Sequence, residues 1–458
     1  MKECDDIFKS SSLIKIFIFE ALLILLMGLE LWLPVILIIS IVIILYLFTE
    51  QIYSVYLTII GLFIGIFIIK EPIGIKIVDI LILFSLIAYL FNRVRIKDFT
   101  FHRNVLDKPI GYFCLGIVIS IIGAVDKSSS VISFLRHIEL FIVFYIFFRL
   151  FDYIEINNLY KIFNYFIYIA TIASCIAIVY IYNYGGRGFD ISGISLADLV
   201  VGALVLSISL FFLSENVIEW FKYYFTTFFL LFLLILSQTR GAWLSMIIAF
   251  ISIIILTHIK SVRYKVYNIF LIVLLLFIIL NLNSILFLDS YTGLVHRVEQ
   301  VGAINIGTIH IRLILWDAAI NAFWENPFLG IGLGQFVHEA ANYSSLGNTD
   351  FFYKNILGLT AHNIFLSYLA ETGIIGISAF LYFYVSFFSM AIRVFKKSNN
   401  IKNFKISIPL LTTIIFIFIS SFYAGTWFWS ANGVQFMLFL ALLANYDKRS
   451  AESLSKNI

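Results

Sequence analysis

The sequence predicts an all-α polytopic membrane protein, and three observations carry that prediction. Hydrophobic residues make up 62% of the chain against 13% charged, and mean hydropathy is +1.01, beyond what a soluble globular chain carries. Apolar runs of membrane-spanning length follow one another with short polar breaks. No stretch rich in Pro, Gly or Ser divides them, so the 458 residues read as one membrane domain with one large loop.

A spanning helix needs roughly 20 apolar residues, with about 17 to 25 tolerated. Candidate spans cover residues 13–29, 31–48, 52–69, 75–91, 110–124, 132–150, 161–181, 195–213, 222–237, 241–257, 267–288, 370–392, 407–423 and 427–444. Merging of the short first runs leaves about 12 to 14 helices. The chain therefore divides into N-terminal transmembrane helices over 1–288, a large extracytoplasmic loop over 289–361 and C-terminal transmembrane helices over 362–458. The run from Leu13 to Met27 lacks a small-residue cleavage pattern and reads as an anchor, not as a cleaved signal peptide.

Lysine and arginine accumulate in cytoplasmic loops. Alternating spans place three basic loops on one side: Arg93, Arg95, Lys97, Arg103 and Lys108; Lys260, Arg263 and Lys265; and Arg393, Lys396, Lys397, Lys402 and Lys405. The alternate loops carry Lys127, Arg187 or Arg240 alone, and Lys70 and Lys76 are the exceptions. Both termini come out cytoplasmic, and the loop over 289–361 faces out together with the tight turn from Ser237 to Gly241.

Composition also narrows the function. The formal net charge is only +4, and the basic residues sit in loops between helices, so no nucleic-acid partner is expected. Cys4, Cys114 and Cys175 avoid the large loop and form no CxxC, which supports neither a disulfide framework nor a zinc site. Charged residues inside the apolar runs, Glu20, Glu30, Asp79, Arg136 and Glu139, mark pathways or paired structural sites. An i,i+3 pairing of Arg136 with Glu139 accounts for those two.

A loop of about seventy residues exceeds ordinary connections and is commonly functional. Its apolar spacing predicts a helix capped by Thr308 and running to Glu325, with an apolar face of Ile309, Leu313, Trp316, Ile320 and Phe323 or Trp324, lying along the membrane surface. Asn326-Pro327 stops it, because the residue before proline disfavours the helical region. The following Gly330-Ile331-Gly332-Leu333-Gly334 is not a dinucleotide fingerprint, which needs a strand before it and a helix after it in a βαβ unit. It reads as a turn returning the chain to the membrane.

Three motifs share the outer face: Gln238-Thr239-Arg240-Gly241; Arg312 leading through Trp316 to Asn326-Pro327 and the glycine run; and Ala361-His362-Asn363 running to Glu371-Thr372-Gly373. Each has an ordinary reading. Arg240 opens a span where arginines snorkel to headgroups, Arg312 fits a solvated helix face, and His362 fits a polar boundary position. His296, His310 and His338 compete with it, and composition does not choose among them.

Chemistry on a phosphorylated lipid explains the three as a unit. A lipid diphosphate sugar presents two phosphates, and the planar fork of arginine binds phosphate oxygens bidentately while staying charged. Arg240 and Arg312 would hold the pyrophosphate and stabilise the charge that builds when the sugar leaves, with no metal and no cofactor. A neutral histidine suits removal of the acceptor hydroxyl proton, and His362 is the best-placed candidate. Glu371 follows His362 at nine residues, not a same-face helical interval, and is assigned no catalytic role. Gln238 and Trp243 flank Arg240 in sequence and are read as neighbours of the site without a distinct role.

From Gln238 to about Phe380 the chain resembles the bacterial O-antigen ligase and polymerase family, integral membrane glycosyltransferases of the GT-C type. The matching residues are Thr239-Arg240-Gly241-Ala242; Arg312 with Trp316, Ala319 and the run from Asn326-Pro327 to Gly334; and His362-Asn363 followed by Leu366, Leu369, Glu371, Gly373 and Gly376. The resemblance implies metal-free, inverting transfer of a glycan from undecaprenyl diphosphate to an acceptor hydroxyl on the outer face of the bacterial cytoplasmic membrane. It implies lipid A core as the acceptor in ligases, and a place in lipopolysaccharide biosynthesis. Arg240 and Arg312 match the family's pyrophosphate-binding arginines, and His362 matches its base.

Two rival functions accompany this reading. A polymerase of the same superfamily shares the donor chemistry and extends another lipid-linked glycan into O-antigen or capsule polysaccharide. A transporter of lipid-linked sugars should show internal repeats and interrupted helices paired across two halves, and the sequence shows no convincing repeat.

Overall fold

The computed structural model describes residues 53–64, 67–69, 75–97, 103–155, 159–184, 190–191, 194–195, 197–236, 240–259, 306–349, 352, 356–423 and 431–455. The spans expected at 13–29, 31–48 and 267–288, the loop residues 289–305 and His296, the turn residues 237–239 with Gln238, and Cys4, Glu20, Glu30, Lys70, Arg187, Lys260, Arg263 and Lys265 lie outside the described residues.

The protein is an all-α polytopic membrane protein. Its described helices are α1 (Tyr53–Ile64), α2 (Ile77–Arg95), α3 (Asp107–Ile122), α4 (Lys127–Leu150), α5 (Tyr160–Tyr184), α6 (Ala197–Phe212), α7 (Val217–Leu236), α8 (Arg240–Ile259), α9 (Ile306–Glu325), α10 (Phe336–Tyr343), α11 (Ile364–Lys397), α12 (Ile401–Ser420) and α13 (Ala431–Ser455). Among the described residues, five stretches are long and apolar enough to cross a membrane: Lys127–Tyr153, Val217–Leu234, Gly241–His258, Ile364–Lys397 and Ile401–Ser420. Three shorter apolar helices lie within α1, α5 and α6. A short 3-10 turn, Phe151–Tyr153, follows α4, and two small antiparallel pairs join Phe67–Ile69 with Ile75–Lys76 and Asp190–Ile191 with Ile194–Ser195. The first pair corrects the expected helices over 52–69 and 75–91, whose facing ends, Phe67–Ile69 and Ile75–Lys76, are extended strands.

Backbone satisfaction in hydrocarbon demands helices, and aromatic packing holds these together. Phe113 of α3 stacks on Phe383 of α11 at 5.9 Å and meets Phe141 of α4 edge-on at 6.0 Å. Arg136 reaches Glu139 at 2.9 Å, as its spacing predicts, and also Asp79 of α2 at 3.0 Å. That pairing neutralises charges that are costly within the membrane.

The helices alternate in direction, so their ends segregate by charge. At one end Lys405 bridges Glu215 and Glu219 at 3.2 and 3.0 Å, and Arg393 pairs with Asp447 at 2.7 Å. Asp152 there takes Arg149 and Lys448, each at 3.4 Å. The starts of α6, α8, α11 and α13 and the end of α12 lie at the opposite end, where α9 and α10 sit.

Helix α9 begins at Ile306, two residues before the expected cap Thr308, and ends at Glu325 before Asn326-Pro327. Its face buried in the protein is not the apolar stripe read from the spacing. Leu315, Ala318, Ala319 and Ala322 are fully buried against Ile331, Phe336, Phe352, Ile356 and Ala361, whereas Leu313, Ile320 and Trp324 are 53%, 41% and 70% exposed. Alanines let the helix axis approach its neighbours closely, so the small side chains take the interior and the large ones turn outward.

The glycine run docks into a break in α11. Gly373 takes φ 59° within that helix, a region that suits glycine, and the interruption frees main-chain groups that the loop fills. Ile331 N donates to Ala370 O at 3.0 Å, Gly332 N to Glu371 O at 2.9 Å, and Ile374 N to Pro327 O at 2.8 Å. The buried Glu371 carboxylate accepts from Phe336 N at 3.1 Å, binding the α10 N-terminus where the helix dipole favours an anion. The loop also reaches the α3–α4 turn, where Ser130 Oγ donates to Leu333 O at 2.9 Å and Gln335 Nε2 to Asp126 O at 3.1 Å. These bonds give Glu371 a structural role and tie α9 and α10 to the helix bundle.

Candidate active site

Arg312 and His362 are brought together by a tether between α9 and the start of α11. Trp316 lies one turn beyond Arg312, on the same helix face, and its Nε1 donates to Ala361 O at 2.9 Å. Asn363 then caps α11, its side chain accepting from Phe365 N and Leu366 N at 3.0 and 3.2 Å. Ile364 N donates to Ser421 O at 3.0 Å. His362, fixed between these anchors, has φ 49°, a conformation uncommon outside glycine and often found at functional sites.

Arg312 is half-buried, and burial draws its guanidinium below the usual arginine range. Arginine titrates so high that the group remains cationic. Arg136, Arg149 and Arg393 each have a carboxylate partner. Among the described residues Arg312 has none, and its one resolved electrostatic neighbour of opposite tendency is Tyr423. A half-buried cation without a counter-ion favours an anionic ligand.

The His362 imidazole is pushed below its ordinary value, first by burial and then by the Arg312 charge, against an opposing hydrogen bond to the Tyr423 main chain. The ring is therefore neutral at neutral pH and can accept a proton. His310 is exposed on α9, and His338 is exposed on α10. His362 is the histidine whose ring the Arg312 charge acts on.

Arg240 opens α8, and its main chain is the part described. The next residue, Gly241, lies beneath the Tyr423 ring, where an added Cβ would come within 2.5 Å of a ring carbon. Trp243 Nε1 of α8 donates to Leu234 O of α7 at 2.9 Å. Trp243 therefore ties the start of α8, where Arg240 lies, to the end of α7.

Tyr423 escaped the sequence reading, as did Asp198. The phenol meets Ser245 Oγ of α8 at 2.8 Å and donates to Asp198 Oδ1 of α6 at 3.2 Å. Asn432 Nδ2 of α13 donates to Asp198 Oδ2 at 3.2 Å. A lone carboxylate opening the apolar run after Leu196 is the signal that marks Asp198; Tyr423, one of 25 tyrosines, carries no such mark. Among the described residues, no three His, Cys, Asp or Glu side chains gather as a metal site needs.

Residues 225–381 match the O-antigen ligase family model. The match covers about a third of the chain and contains Arg240, Arg312 and His362, in agreement with the resemblance read from the motifs. No curated protein matches the chain.

Proposed function

We propose that this protein, which carries an O-antigen ligase-family region at residues 225–381, transfers a glycan from undecaprenyl diphosphate to an acceptor hydroxyl of lipid A core. The observation that carries the reading is the half-buried Arg312 without a carboxylate partner among the described residues, set beside a neutral His362. The segregation of basic residues to the opposite end of the helices favours a site on the outer face of the bacterial cytoplasmic membrane.

Arg312 and Arg240 hold the donor pyrophosphate by charge-assisted hydrogen bonds. The acceptor oxygen attacks the anomeric carbon from the face opposite the pyrophosphate while His362 takes its proton. The bond from the anomeric carbon to the phosphate oxygen breaks, and its electron pair leaves with undecaprenyl diphosphate. The arginines oppose the charge gathering there, and the configuration inverts. The exposed Leu313, Ile320 and Trp324 stripe of α9 rests at the membrane interface, where aromatic and aliphatic groups partition.

Reconstitution tests this reading. The purified protein receives an undecaprenyl-diphosphate glycan with lipid A core, or with no added acceptor, in the absence of divalent metal. Glycan on lipid A core is the expected product. Lengthening of the lipid-linked glycan alone establishes a polymerase, and no donor consumption in either mixture overturns transfer.

A further inference from the structure

We propose that Tyr423 is a positioning residue for Arg240: its ring lies on the Gly241 main chain, and its phenol, anchored on Asp198, shares Ser245 with the first turns of α8, so one side chain sets where that helix begins. The inference rests on the reading of Arg240 as a ligand of the donor pyrophosphate.

Glycine is a weak helix former, yet Gly241 follows Arg240 directly at the start of α8. An added Cβ there would meet three Tyr423 ring carbons at 2.5, 2.7 and 2.9 Å, closer than carbon atoms pack. The missing side chain is what admits the ring, as at other close approaches to a backbone. One turn further along α8, the buried Ser245 hydroxyl lies 2.8 Å from Gly241 O and 2.8 Å from the Tyr423 phenol oxygen. The tyrosine therefore holds the residue after Arg240 with its ring and the next turn with its hydroxyl.

The hydroxyl is itself fixed. It donates to Asp198 Oδ1 of α6 at 3.2 Å, and Asn432 Nδ2 of α13 donates to Asp198 Oδ2 at 3.2 Å. A carboxylate beside apolar helices is costly unless its oxygens are satisfied; here one oxygen holds the phenol and the other ties the carboxylate to α13. The same turn of chain reaches the other half of the site. Ser421 O accepts from Ile364 N at 3.0 Å, two residues beyond His362, and Ser421 Oγ lies 2.8 Å from Tyr384 Oη of α11. Ser421 to Tyr423 thus form a bracket between the α8 start that carries Arg240 and the α11 start that follows His362. The Trp316 bond to Ala361 O extends that frame to the Arg312 helix.

The test uses the full chain in nanodiscs and equilibrium binding of radiolabelled undecaprenyl diphosphate, which needs neither acceptor nor turnover. Tyr423→Phe keeps the ring and loses the phenol anchor, and binding should weaken about fivefold to tenfold, the size of one lost hydrogen bond. Gly241→Ala should weaken it at least as much, because the ring must move off the α8 turn. Neither change should matter once the arginine is gone: Arg240→Ala combined with Tyr423→Phe should bind as weakly as Arg240→Ala alone, the non-additivity expected when one residue acts through another. Asp198→Asn, which keeps an acceptor for the phenol, should recover the binding that Asp198→Ala loses.

Wild-type binding in Tyr423→Phe overturns the proposal, and so do losses that multiply in the double variant, which would make the tyrosine a general support of the fold. Wild-type binding in Arg240→Ala overturns it together with its premise. Should Tyr423→Phe or Gly241→Ala fail to fold, Ser245→Ala removes the shared hydroxyl and must weaken binding only where Arg240 is present. Transfer is read separately from the same nanodiscs. The expected binding pattern without glycan transfer leaves the positioning role standing and removes the transfer reading, whereas transfer with multiplying losses does the reverse.

Discussion

Trp316 Nε1 donates to Ala361 O at 2.9 Å, so the helix carrying Arg312 is bonded to the residue that precedes His362. The two groups proposed to act on opposite ends of one reaction are thereby set at a fixed separation. A Trp316→Phe variant keeps an aromatic ring and loses that bond, a change of about 1 kcal/mol. Transfer should fall about tenfold, as misplaced groups lose effective molarity, with expression and thermal stability close to wild type. A variant with wild-type turnover would show that the tether does not set the geometry.

The two arginines and the histidine separate by step. Arg240→Ala and Arg312→Ala should each lower transfer by about 100-fold or more, the scale of a lost oxyanion contact, and should also weaken donor binding. His362→Ala should abolish turnover while lipid-linked glycan still binds. Donor binding by scintillation proximity, measured beside product formation, checks the split; retained turnover in His362→Ala would move the base role elsewhere.

The Arg312 charge is one cause of the lowered His362 pKa. Removing it in Arg312→Gln takes away a term that disfavours the imidazolium, so the ring pKa should rise toward the ordinary histidine value. The pH at which the ring becomes protonated should therefore move upward. Ring-nitrogen NMR titration of both proteins reads this directly, even if the variant is inactive. A downward move or no move would place Arg312 too far from the ring to act on it.

Gly373 has φ 59° in the α11 break, and an added Cβ would press on the Phe328 carbonyl. Gly373→Ala should cost about 1 to 3 kcal/mol from the backbone conformation alone. The detergent-solubilised variant should unfold several degrees lower, with loss of protease resistance around residues 326–336. Equal stability would mean that the break is not needed for docking the glycine loop.

The membrane class, the helix ending at Asn326-Pro327 and the order of the motifs were legible in the chain. Hydrocarbon enforces helices of a set length, and proline acts on its nearest neighbour, so each signal is local. The Arg136–Glu139 pair was legible for the same reason, being three residues apart on one helix. The buried face of α9 was not: period marked an apolar stripe with Leu313, Ile320 and Trp324, and only close packing set Leu315, Ala318, Ala319 and Ala322 inside.

By itself, the sequence determined a polytopic helical membrane protein and the three charged or titratable motifs worth weighing, because hydropathy and residue chemistry are properties of short stretches. Only the tertiary structure decided that the Arg312 charge reaches His362, and that the Tyr423 phenol meets Asp198. Those relations join residues from 50 to 225 positions apart, and helix packing, not local sequence, sets which distant side chains meet.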